Sequence, residues 1–135
     1  MLPATYRFVV LNETGAALTG LTCTCKNWKL ASDGSITYSA ESTISGLSTT
    51  LADDAADASD TIDNSSDKYV GTHCVWSITV GSAQSSVASI YLQGSTDGGT
   101  DWPSIANLTV DEIEGQLLDV IKLNSETTRS GYFEI

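Results

Sequence analysis

Basic residues are scarce in this chain. Six Lys and Arg stand against 17 Asp and Glu, for a formal net charge of −11. So acidic a surface repels phosphate backbones and anionic membranes, so neither nucleic acid nor membrane is expected as a partner. Long apolar runs are missing as well. None approaches the ~20 residues that a spanning helix needs. The run "FVVL", preceded directly by Arg7, is too short for a signal-peptide core. The expectation is a soluble chain that does not use the general export route. Histidine occurs once, at position 73, so any triad or His-based general acid must use it. No GxSxG elbow, P-loop or dinucleotide fingerprint accompanies it. The expectation is therefore no enzyme, no catalytic residues and no cofactor. Cysteines number three, and an odd count does not suggest a secreted disulfide scaffold.

What the chain does have is enough apolar material for one core and many breaks in it. Hydrophobic residues make up 41% of 135 positions, which supports a packed domain and argues against disorder. Ser and Thr total 35, Pro only two, and Gly is scattered singly between short apolar runs, a profile of short strands and turns. Period two dominates the pattern. In "TYRFVVL", Tyr6, Phe8 and Val10 face one way; in "LTCTC", Leu21, Cys23 and Cys25 do. "NETG" and "SDG" read as turns, with Asp33-Gly34 supplying a cheap positive φ. Ile36 and Tyr38 then form the apolar face of the next strand. In "YVGTHCVWSITV", Val70, Cys74, Trp76, Ile78 and Val80 share a face, and "SVASIYLQG" reads as its antiparallel partner. "LLDVIKL" fits either a strand or a short helix starting near Asp111, and "GYFEI" is a terminal strand. The predicted fold is all-β: residues 1–135 as a single-domain antiparallel β-sandwich or jelly roll of about 7–9 short strands.

Three clusters of chemically capable residues need weighing. The tract "LADDAADASDTIDNSSD" holds Asp53, Asp54, Asp57, Asp60, Asp63 and Asp67. It reads as a solvated loop or short Ala-rich helix; as a calcium site it lacks the spacing of an EF-hand loop. Cys23, Cys25, His73 and Cys74 add up to a formal zinc set, but adjacent strand residues face opposite ways, which separates His73 from Cys74. The expectation is three reduced, inward-packed thiols and no metal, with a bond from Cys74 to Cys23 or Cys25 as the minor alternative. Three sequons, at Asn12, Asn64 and Asn107, are no more than so Ser/Thr-rich a chain produces by chance.

The most motif-like stretch is "GSTDGGTDW", Gly94 to Trp102. Its Ser-x-Asp-x-Gly-x-x-Trp spacing, carried by Ser95, Asp97, Gly99 and Trp102, resembles the Asp box of sialidases. There too the box is a fold element away from the active site. Asp97 and Ser95 accept hydrogen bonds from loop amides, glycines provide the tight connection, and Trp102 closes over it as a lid. The wider sialidase resemblance fails, because those enzymes use three arginines and this chain has two, Arg7 and Arg129. The same residues resemble discoidin-like carbohydrate-binding sandwiches, which keeps glycan binding near Trp102 and Tyr91 as an alternative.

Taken together, "FVVLNETGAALTGLT", "WKLASDGSITYSAES", "SGLSTTLADDAADASDTIDNSSDKYV", "SIYLQGSTDGGTDWP" and "YFEI" resemble a group of small structural proteins of tailed bacteriophages, over nearly the full length. The resemblance implies a virion protein without catalytic residues. A capsid decoration (cement) protein on the outer head surface, made in the host cytoplasm, is the expectation; a tail, collar or baseplate position is the alternative. Its expected partners are the major capsid protein or other virion proteins, and further copies of itself, as a trimer.

Overall fold

The computed structural model describes residues 2–102 and 116–135. It is an antiparallel β-sandwich. Ten strands run in chain order: β1 (Thr5–Glu13), β2 (Leu18–Leu30), β3 (Ile36–Tyr38), β4 (Ser42–Thr43), β5 (Ala55–Ala58), β6 (Ile62–Asp63), β7 (Gly71–Gln84), β8 (Val87–Ser95), β9 (Gln116–Lys122) and β10 (Glu126–Glu134). One sheet has the order β5-β1-β8-β9, with β6 also paired to β1; the other has β10-β7-β2-β3, with β4 also paired to β2. Among the described residues there is no helix, and so none long and apolar enough to cross a membrane.

Alternation builds the core. Tyr6, Phe8 and Val10 point from β1 into the sandwich, where they meet Leu21, Cys23 and Cys25 of β2 and Cys74, Trp76 and Ile78 of β7. Aromatic edges join the layers: Phe8 lies 5.9 Å from Trp76 and 6.0 Å from Phe133, the first pair edge-on. Such contacts add to simple burial and fix how the two sheets sit. The other face of β1 is also apolar, with Val9 and Leu11 buried beside Tyr91, Ala56 and Ala58. A strand buried on both faces reads as an unbroken apolar run, which is what "FVVL" is.

Several expectations change at this level. β8 does not pair with β7; it lies between β1 and β9 in the opposite sheet. Ala88, Ile90 and Leu92 still face inward, because crossing between sheets preserves the pleat. The segment "LLDVIKL" is a strand, while Asp111 and Gly115 lie outside the described residues. The acidic tract is neither loop nor helix throughout, since Ala55–Ala58 adds an edge strand to β1. Its Ala residues are small enough to lie against Val9 and Leu11. Ile36 and Tyr38 are exposed, because they lie on the outer side of their sheet, away from the core.

Two buried asparagines hold the loops. Asn12 donates to the carbonyls of Ala16, Leu51 and Ala52 at 2.9–3.1 Å and accepts from the Thr14 amide and hydroxyl. Asn64 exchanges hydrogen bonds with the Tyr69 backbone at 2.7 and 2.9 Å and also donates to Pro3 O. Chain reversal at Asn124 and Ser125, both at positive φ, carries β9 into β10 across the side of the sandwich. Gly131 permits that approach, because a Cβ there would stand 2.9 Å from an Asp119 carboxylate oxygen.

Candidate functional site

The turn after β8 is closed by its own side chains. Ser95, buried at the strand end, donates its hydroxyl to Asp97 Oδ1 at 2.7 Å and accepts from the Gly99 amide at 2.9 Å. Asp97 itself is exposed, yet its carboxylate accepts from Thr100 N at 3.1 Å and from Asp101 N at 2.9 and 3.0 Å. The Asp101 amide first, and the Ser95 hydroxyl next, hold its pKa below the usual carboxylate range. Gly98 and Gly99 both adopt positive φ, and a Cβ on Gly99 would come to 3.1 Å from Thr61. Trp102 donates its indole N–H to Gly99 O at 3.0 Å.

One neighbour of this turn was not legible in the motif. The Arg7 guanidinium lies 4.4 Å from the centre of the Trp102 ring and donates to Gln93 Oε1 at 2.9 Å. Partial burial lowers the Arg7 pKa. Cation–π stacking therefore covers one face of Trp102. Tyr91 is buried beside Val9 and Leu11, so it has no open ring for a sugar to stack on. The carboxylate of Asp97 is already engaged by loop amides. What this arrangement does chemically is close a turn.

The cysteines require a correction. Cys25 and Cys74 form a disulfide, and only Cys23 is a free thiol. The reason is register: the two residues stand directly opposite on β2 and β7, with Cα atoms 4.2 Å apart. Spacing of 49 residues in sequence carries no trace of that. The Cys23 sulfur lies 3.4 Å from that of Cys25, and burial pushes its pKa well up, which disfavours the thiolate. All three sulfurs fall within 4.8 Å of one another. His73 does not join them, because it stands on the outer side of the same sheet.

There His73 Nδ1 lies 3.5 Å from Glu134 Oε2, and its ring centre lies 5.8 Å from that of Tyr38. Thr22, Thr24, Lys26, Glu41 and Val75 line a shallow groove beside it. Among the described residues no hydroxyl is hydrogen-bonded to His73, so a nucleophile–base pair is not assembled.

The acidic tract disperses its carboxylates over separate tasks. Asp53 accepts from Gly15 N at 2.8 Å, Asp57 from Ser48 N at 2.6 Å, and Asp63 from Ser65 N at 2.8 Å. Each acid secures a different loop. The sequons divide similarly: Asn12 and Asn64 are buried with their amide nitrogens donating, and Asn107 lies outside the described residues. Comparison of the chain with protein-family models, with curated proteins and with solved structures gives no match.

Proposed function

We propose that this protein is a non-enzymatic structural component of a tailed-bacteriophage virion, a decoration protein that bridges capsomers on the outer head surface. The observation that carries this reading is how the chemically capable side chains are used. Asn12, Asn64, Ser95, Asp53, Asp57 and Asp97 all hold backbone in place, and all six fall in the very segments that resemble the phage proteins. Residues that would look functional in isolation are loop fasteners. A rigid, acidic sandwich suits a high-copy protein that must stay dispersed before assembly.

The partners on this reading are the major capsid protein and other copies of the chain. A tail, collar or baseplate position uses the same properties and is the competing assignment. Purified protein mixed with undecorated capsids of its phage separates them. Saturable co-sedimentation with the capsids is expected. Failure to bind capsids, together with binding to isolated tails, would reverse the assignment.

A further inference from the structure

Seven large apolar side chains are well exposed among the described residues, and five of them share one surface. Leu30 (59%), Ile36 (54%), Tyr38 (52%), Val75 (54%) and Tyr132 (60%) all lie on the outer side of the β10-β7-β2-β3 sheet. Register groups them in two clusters: Tyr132 on β10 with Val75 on β7, and, four to six residues further along β2, Tyr38 beside Trp28 and Ile36 beside Leu30. Between the two clusters the outward positions carry Lys26, His73 and Glu134, while Thr22, Thr24 and Ser77 lie beside Val75. Scattered exposed apolar residues are ordinary, but five on the outer side of one sheet make a shared surface.

We propose that this face is where a second copy of the chain docks, the two copies packing sheet against sheet about a two-fold axis. Charge selects that occupant. The molecule carries −11 overall, yet the outward rows here hold only Lys26, His73 and Glu134, with Glu41 at the groove edge. The Asp53–Asp63 stretch sits beside β1 in the other sheet. Two such acidic molecules can meet on this side with the least repulsion. A two-fold axis that brings Lys26 of one copy toward Glu41 or Glu134 of the other lets one patch of mixed sign complement itself. Three long strands and the short β3, about 4.8 Å apart, give a footprint on the order of 500 Å², enough for a modest dimer. Its anchors are partly fixed beforehand. The Tyr132 hydroxyl donates to Glu134 at 3.1 Å, and Tyr38 lies between His73 and the Lys26 ammonium, 5.4 Å from its ring centre. One face that meets its own copy closes as a dimer.

The inference does not depend on the virion assignment, because it is tested on the isolated full chain. Sedimentation velocity over a concentration series should show a reversible dimer that strengthens from low to high salt as the acids are screened. Val75→Lys should weaken dimerisation about tenfold or more, as truncating or charging the centre of an interface does. Tyr132→Thr, which keeps a strand-compatible side chain, is the second variant should Val75→Lys fail to fold. Leu117→Lys, on exposed β9 of the other sheet, should leave the dimer unchanged. A wild-type chain that stays monomeric at every salt and concentration overturns the proposal. So does a dimer that ignores both Val75→Lys and Tyr132→Thr. A monomer that loses capsid binding on Val75→Lys would assign the face to another occupant and equally overturn it.

Discussion

Removing the Asn12 side chain tests how far loop fastening, rather than core volume, holds this sandwich together. Asn12 is fully buried and takes part in five hydrogen bonds, three as donor and two as acceptor. At a net of about 0.5–1.5 kcal/mol each, losing all five would cost about 2.5–7.5 kcal/mol. The structure favours the low half of that range. Leu51 O keeps Leu18 N as a second partner, Ala16 O keeps the Thr14 hydroxyl, and Ala52 is exposed and can turn to water. The buried Thr14 amide is the group left stranded. Asn12→Ala should therefore lower stability by about 3 kcal/mol, read as a shifted denaturant midpoint at unchanged slope. Asn12→Asp separates hydrogen bonding from volume. It keeps an acceptor for Thr14 but sets an oxygen against three carbonyls, so it should cost more than Asn12→Ala at neutral pH. The introduced carboxyl would have a folded pKa above its unfolded value of ~3.9. Its penalty is then absent below the unfolded pKa and grows as pH rises toward the folded one. Wild-type stability for Asn12→Asp at neutral pH would refute the reasoning.

Two further outcomes are expected. The Cys25–Cys74 bond closes a loop of 49 residues' separation, for which chain entropy gives about 4 kcal/mol of stabilisation. Thiol titration of denatured, unreduced protein should find one thiol, from Cys23, and Cys74→Ala should melt well below wild type; three titratable thiols would refute the pairing. Asp97→Ala and Trp102→Ala should both lower the melting temperature through the turn. Because the folded Asp97 pKa is depressed, its contribution is present above the unfolded pKa and is lost as pH falls through the folded one, so the difference between wild type and Asp97→Ala should narrow in acid. A gap that stays constant with pH would disprove that role.

Local chemistry was readable from the chain alone. Alternation in "TYRFVVL" and "HCVWSITV" dictated strands and named the inward residues, because a pleat gives side chains a period of two whatever lies opposite. The Ser95–Trp102 turn was readable for the same reason, since Ser95, Asp97 and Gly99 act within five residues of one another. Pairing was another matter. That β8 joins β1 rather than β7, that Ala55–Ala58 is a strand, and that Cys25 meets Cys74 are facts of register between segments far apart in sequence. The Arg7–Trp102 stack and the Asn12 and Asn64 hubs belong to the same class. Tertiary structure also decided which apolar residues stay outside. Val75 and Tyr132 alternate as any strand residues do, and only the position of the second sheet, on the other side, left them facing water.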